Sequence, residues 1–130
     1  MATDRFYLGI FLFTLALAVI LGAFGAHILE DKISPKYTEI YKTATFYHFI
    51  HAIGAILSIL IIRDLSPERI SMIAKLFLGG IILFSGSLYI LSIHEIFDAP
   101  GLRKLGAITP IGGLLFIAAW VYVGITVLKS

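Results

Sequence analysis

The stretch FYLGIFLFTLALAVILGAFGAHIL, residues 6–29, contains no Asp, Glu, Lys or Arg. An α-helix rises about 1.5 Å per residue, so ~20 apolar residues cross the ~30 Å hydrocarbon core of a bilayer. The stretch is long enough to do so, and it exceeds the ~7–15-residue apolar region of a signal peptide. It therefore predicts a retained helix that spans the membrane.

The rest of the chain repeats this pattern three times. Uncharged apolar runs predict four spans, at about residues 6–29, 43–62, 74–94 and 106–128. Of the 130 residues, 59% are hydrophobic and 14% are charged, whereas soluble domains average ~45–50% and ~25%. The connectors are too short to fold alone. We therefore predict one all-α domain over residues 1–130, an integral membrane bundle of four transmembrane helices with both termini on one side.

The composition excludes several classes of function. The chain has no cysteine, so disulfides, thiolate nucleophiles and cysteine-ligated metal clusters are excluded. Its ten Lys and Arg residues are spread over all connectors and form no basic stripe, so nucleic acid is not an expected partner. Signature motifs of hydrolases, zinc proteases and phosphate-binding loops are missing. Catalysis is therefore disfavoured, no cofactor is expected, and membrane lipid is the predicted partner.

A small hydroxyl residue precedes a proline at three predicted helix starts, Ser34-Pro35, Ser66-Pro67 and Thr109-Pro110. The hydroxyl is a candidate N-cap, and proline fits the first helical position, where its missing N–H does no harm. Pro110 also interrupts the fourth apolar run. It is therefore a predicted helix break: either the fourth helix is kinked there, or residues 105–109 are non-helical and the span begins at the proline.

The helical period also predicts which residues of the second helix share one face. If that helix begins at Pro35, its shared face carries Tyr37, Ile40, Tyr41, Ala44, His48 and His51.

Small residues recur along the spans. In lipid, helices associate through close backbone approach and interhelical hydrogen bonds, both of which small side chains permit. The candidates for helix packing are Ala18, Gly22, Gly25, Ala26, Gly79, Gly80, Gly86, Gly112 and Gly113. They predict a compact bundle. A second interpretation makes the third span a close-approach surface for a lipid, a ligand or a second copy of the chain in a homo-oligomer.

The histidines carry the main concentration of polar chemistry. Antiparallel spans bring all four to the same side of the membrane, and a glutamate follows the last one. Imidazole there ligates metal, relays protons or hydrogen-bonds to neighbouring groups. Hydrogen bonding at helix ends is the favoured interpretation, and metal or haem ligation and proton or anion handling stay open. The candidate metal ligands are His27, His48, His51, His94 and Glu95.

A small channel or transporter is the rival function. The two sides of the predicted bundle carry equal numbers of Lys and Arg, so the positive-inside rule does not orient the chain. Residues 9–17 and 80–88 also show a partial internal repeat, and many transporters are built from duplicated halves. No carboxylate lies deep in any span, however, as proton-coupled exporters would require.

Four motifs give the chain a family resemblance: Gly22-Ala-Phe-Gly-Ala-His27, Tyr47-x-x-x-His51, Leu83-Phe-Ser-Gly-Ser-Leu-Tyr89 and Thr109-Pro-x-Gly-Gly113, the last followed by Phe116 and Trp120. In this order they resemble the domain of unknown function 423 family, the YgdD-like small inner-membrane proteins, whose eukaryotic relatives are called transmembrane protein 256. The resemblance implies a four-span protein of the bacterial inner, or plasma, membrane. It implies no catalytic roles, because the family has no established activity.

Placed on a four-helix bundle, the motif residues predict one polar pocket near a membrane interface. Its candidate residues are His27, Tyr47, His51, Ser85, Ser87, Tyr89 and Thr109, with the two serines one to two turns deeper. We therefore predict a structural, accessory or ligand-binding component of a membrane or of a larger membrane complex. A homo-oligomeric channel or transporter and a metal- or haem-binding protein are the alternatives.

Overall fold

The computed structural model describes residues 2–130 as a bundle of four long helices, and this part of the chain contains no strand. The elements are α1 (Ala2–Phe24) with a π-helical turn (Gly25–Leu29), α2 (Pro35–Ile62), α3 (Pro67–Gly80) joined by a π-helical segment (Ile81–Gly86) to α4 (Ser87–Ser92), a 3-10 helix (Pro100–Ala107), and α5 (Thr109–Leu128). Four helical stretches are long and apolar enough to cross a membrane. The predicted all-α membrane bundle is confirmed.

The starts of α2 and α3 agree with the prolines of the sequence, but the predicted hydroxyl caps do not form. Ser34 and Ser66 occupy the N-cap positions without a side-chain cap bond. The backbone N–H and the hydroxyl of Ser34 instead donate to the Glu95 carboxylate, at 3.0 and 3.3 Å. A carboxylate at a helix N-terminus is stabilised by the helix dipole. This contact joins the first connector to the end of the third span.

The α-helix of the fourth span begins at the proline-containing motif, and the residues before it form neither a kinked α-helix nor a wholly non-helical segment. Residues Pro100–Ala107 form a 3-10 helix, and α5 starts at Thr109. Thr109 is therefore the first helical residue and Ile108 the N-cap, so the predicted threonine cap is wrong. Pro110 lies in the first turn, where a backbone N–H has no partner within the helix in any case.

Two hydrogen bonds show how the helix ends meet. The Tyr7 and Ser71 hydroxyls lie 2.9 Å apart, which joins the starts of α1 and α3. Near the opposite end of α1, the Tyr41 hydroxyl donates to the Leu21 carbonyl. Between these levels the core is mostly apolar and includes the fully buried side chains of Phe11 and Phe77. The outer surface carries many exposed large apolar side chains, as expected where the surrounding solvent is hydrocarbon.

The small residues differ in how closely a neighbour approaches them. A Cβ on Gly112 would meet the backbone of Leu83 and Phe84, in the π-helical segment of the third span. A Cβ on Gly25 or Gly80 would meet the ring of Tyr41 or Phe116, respectively. Gly22, Gly79 and Gly113 have looser side-chain neighbours, Ala18 is buried, Ala26 is exposed, and Gly86 has only a distant carbonyl nearby. Close approach of helix backbones is therefore concentrated at Gly112.

Candidate functional site

The predicted polar side chains separate into several places in the bundle. His27 is exposed at the end of α1. His48, His51 and His94 are buried, each with its own partners. Within residues 2–130, no three His, Asp or Glu side chains are grouped in a way that could hold a metal ion.

His94 connects the segments outside the helical core. Its Nδ1–H donates to the Leu91 carbonyl at 2.7 Å, and Arg103 Nε donates to its Nε2 at 3.4 Å. Its ring also meets the Tyr37 ring edge-on, with centroids 4.5 Å apart. Both ring nitrogens of His94 are thus used within the fold. Together with the contact between Glu95 and Ser34, these bonds attach the segment after α4 to the start of α2.

His51 lies among aromatic rings. Its Nδ1 is 2.8 Å from the Tyr47 carbonyl, one helical turn earlier, so Nδ1 carries the proton. The imidazole stacks on Phe116 with centroids 3.5 Å apart and planes inclined by 12°. Tyr47 stacks against the same group of rings, and Phe77 and Trp120 complete it. This arrangement packs α2 against α3 and α5.

Ser87 and Thr109 join α4 to the start of α5. Ser87 donates its hydroxyl to the Phe84 carbonyl at 2.9 Å. The hydroxyl oxygens of Ser87 and Thr109 lie 2.7 Å apart. Because Ser87 donates its only hydroxyl hydrogen to Phe84, Thr109 is the donor between the two hydroxyls. Ser85 is fully buried, and it follows Phe84, whose backbone meets Gly112. Its hydroxyl makes no hydrogen bond within the described part of the chain.

His48 and Tyr89 form the remaining polar pair. The His48 Nδ1 and the Tyr89 hydroxyl lie 3.1 Å apart, and the imidazole is 2% exposed. His48 Nε2 is buried and makes no well-aligned hydrogen bond within residues 2–130, although the Thr14 carbonyl of α1 faces the ring. A buried polar atom without a partner costs ~1–3 kcal/mol, so such atoms are rare in folded proteins.

A cavity of about 440 Å³ lies beside this pair. Its walls come from α1, the third span and the residues around the 3-10 helix. The polar side chains on the walls are Thr14, His48, Ser87 and Tyr89, and no charged side chain lines it. Leu17, Ile82 and Ile90 line it and are also exposed on the outside of the bundle. The cavity therefore opens sideways, towards lipid.

The cavity contains part of the predicted pocket. Ser87 and Tyr89 line it, and Thr109 bonds to Ser87 behind the wall. His27, Tyr47, His51 and Ser85 do not line it. His48, which the sequence analysis placed on the shared face of α2 and among the candidate metal ligands but not in the pocket, is a buried polar group of the cavity, as is Ser87. The spacing of three residues between His48 and His51 did not predict this role, because the His48 ring contacts Tyr89 whereas the His51 ring stacks on Phe116.

Comparison with known proteins places the chain in a family. The sequence pattern described as "Protein of unknown function (DUF423)" matches residues 21–113. The chain belongs to the DUF423 family. The UPF0382 membrane protein YwdK of Bacillus subtilis is 44% identical over 114 residues, 87% of this chain and 88% of YwdK. A UPF0382 membrane protein of Staphylococcus epidermidis is 45% identical over 113 residues, 87% of each chain. No solved structure matches.

These relatives confirm the resemblance predicted from the four motifs, and their names agree with the four membrane-length helices. The DUF423 match ends at Gly113 and so covers the cavity-lining residues of α2, α4 and the 3-10 helix. The protein is a small membrane protein of that family.

Proposed function

We propose that this protein binds a neutral amphipathic molecule in the cavity beside His48, without catalysing a reaction on it. The observation that carries the proposal is the cavity beside the buried pair of His48 and Tyr89, whose mostly apolar walls bear a polar edge formed by Thr14, His48, Ser87 and Tyr89. A hydroxyl or carbonyl group of a ligand would hydrogen-bond to this polar edge, and its apolar part would lie against the remaining walls.

The remaining walls define the chemistry of the ligand. No charged side chain lines the cavity, so a charged ligand would lose its hydration without compensation, and the ligand is neutral. The other walls are mostly leucine and isoleucine, which suit an alkyl or isoprenoid chain. A volume of about 440 Å³ lies within the ~300–1,000 Å³ that is usual for small-molecule sites. The openings at Leu17 and Ile82 supply a path from the bilayer.

Photo-cross-linking with a diazirine-bearing monoacylglycerol tests the proposal. This probe is neutral, and it carries hydroxyl groups, an ester carbonyl and one chain. We expect labelling at cavity residues such as Leu17 and Ile82, and at least a ~5-fold loss of labelling in Leu17→Trp, because the indole fills the cavity. His48→Leu should lose labelling as well, because it removes the polar edge. Leu12→Trp is the matched control, since Leu12 is exposed on the same helix but does not line the cavity.

Two results would contradict the proposal. One is equal labelling of Leu17→Trp, Leu12→Trp and the unmodified protein, which would mean that the probe reports only on surrounding lipid. The other is sustained ion or solute flux through liposomes that contain only the pure protein, which would favour the channel or transporter.

The location of this function is the bacterial inner, or plasma, membrane, with both termini on one side. An even number of spans supports the second statement, and the contact between Tyr7 and Ser71 supports it further, because it joins the starts of the first and third spans. Reporter domains fused to the two ends should both be active in the same compartment. Activity on opposite sides in one inserted population would contradict the arrangement.

A further inference from the structure

A second cavity, of about 650 Å³, lies on the other side of α1. It forms a groove between the end of α1 and the first half of α2. Gly22, Gly25 and Ala26 form its α1 wall, where short side chains leave the backbone as the surface. Tyr41, Thr45 and Phe49 are among the residues of its α2 wall, and the groove ends at Ile53.

The part of the groove that lies inward of Lys42 matches one leaflet of a bilayer in length. Lys42 lies at its mouth and Ile53 at its inner end, and both are on α2. The eleven residue steps from Lys42 to Ile53 correspond to ~16 Å of helix rise. Half of a ~30 Å hydrocarbon core is ~15 Å. One acyl chain that enters at the interface would therefore reach the end of the groove near the middle of the membrane.

The mouth of the groove carries charges of both signs. Glu30 and Lys42 line it, and they lie close enough for their charges to interact. Lys42 also contacts Glu39 at 2.8 Å, but both side chains of that pair are mostly exposed, and exposed pairs are weak. The ammonium of Lys42 has three donors, so two are left for another acceptor. Glu30 and Lys42 are the charged residues that line the groove, so its mouth carries one charge of each sign.

We propose that this groove binds a zwitterionic phospholipid with a primary ammonium, such as phosphatidylethanolamine. One acyl chain lies in the groove, the phosphate contacts Lys42, and the headgroup ammonium donates hydrogen bonds to Glu30. An anionic lipid such as phosphatidylglycerol is disfavoured, because it has no cationic group to pair with Glu30. Phosphatidylcholine keeps both charges, but its quaternary ammonium has no N–H to donate, so it binds more weakly.

This lipid site is independent of the cavity beside His48. The groove shares no lining residue with that cavity, it has charged groups at its mouth, and it takes a lipid with two charges rather than a neutral molecule. Failure of either site would leave the other unaffected.

Native mass spectrometry of the full chain in detergent tests the lipid site by titration with three phospholipids of identical acyl chains. We expect phosphatidylethanolamine to bind at least ~3-fold more tightly than phosphatidylglycerol, and more tightly than phosphatidylcholine. Glu30→Gln should remove the preference for ethanolamine over choline. Lys42→Gln should weaken the binding of all three lipids. Asp31→Asn and Lys32→Gln make the same charge changes at exposed positions outside the groove and should leave binding unchanged.

A variant of the groove wall separates the acyl chain from the headgroup. A Cβ on Gly22 would lie 3.4 Å from Thr45 Cγ2, an ordinary contact, and the rest of a Gly22→Leu side chain would occupy the groove that Gly22 lines. It should reduce the binding of all three phospholipids without changing their order. Equal binding of the three lipids to the unmodified protein would overturn the proposal, and so would an unchanged preference in Glu30→Gln. Glu30 and Lys42 are both exposed, so we expect Glu30→Gln and Lys42→Gln to fold as the unmodified protein does.

Discussion

Gly112→Ala is expected to destabilise the bundle by ~3 kcal/mol, at the upper end of the usual range for overpacked positions. A Cβ at residue 112 would lie 2.8 Å from the carbonyl carbon of Leu83 and 2.8 Å from Phe84 Cα, and it would also meet the Phe84 amide nitrogen. Backbone atoms cannot rotate away as the end of a side chain can. The start of α5 and the π-helical segment of the third span would have to separate.

The neighbouring glycine supplies the control for this variant. A Cβ on Gly113 would lie 3.8 Å from the Phe84 ring, which is an ordinary contact. Gly113→Ala should therefore be neutral, or gain up to ~1 kcal/mol from its higher helix propensity. Thermal unfolding of both variants in the same detergent measures the difference. Equal midpoints for the two variants would contradict the backbone contact at Gly112.

Gly80→Ala is the second variant with a large expected effect, a loss of ~2 kcal/mol of stability from overpacking. Its Cβ would lie 2.5 Å from Phe116 Cε1 and 3.1 Å from Phe116 Cγ. Phe116 is 3% exposed and stacks on His51, so its ring has little room to move. Chemical or thermal unfolding of reconstituted protein measures the loss.

A double-mutant cycle assigns this loss to the ring. Combined with Phe116→Leu, Gly80→Ala should cost at least ~1 kcal/mol less than it does alone, because the smaller side chain leaves room for the methyl group. Gly79→Ala is the control, since its Cβ would meet only a flexible leucine methyl of Leu115, at 3.1 Å. Additive effects in the cycle would show that Gly80 acts through something other than Phe116.

Apolar length was sufficient to predict the four helices, because a span must satisfy its backbone hydrogen bonds internally whatever its neighbours are. Most of the predicted face of α2 is buried as well: Tyr37, Tyr41, Ala44, His48 and His51 are buried along it, and Ile40 is half-buried. The face follows from the helical period counted from Pro35, so it could be predicted without knowing how α2 packs against the other helices.

The grouping of the polar residues could not be predicted in the same way. The sequence gives the depth of a residue in the membrane, whereas a shared pocket also depends on the rotation of each helix. The last turn of α1 is π-helical, which displaces side chains from the direction that an α-helical period predicts, and His27 is exposed there. The contact of Gly54 with Trp120 was missed for a related reason, because only tertiary packing brings the two together.

The most direct test of the proposed cavity is native mass spectrometry of protein extracted from its own membranes, with the Leu17→Trp and Leu12→Trp variants prepared in parallel. The unmodified protein and Leu12→Trp should retain a neutral adduct of one mass, distinct from phospholipid, at one copy per chain, and Leu17→Trp should lose it. Equal occupancy of that adduct in all three proteins, or its absence from all three, would contradict a ligand site beside His48.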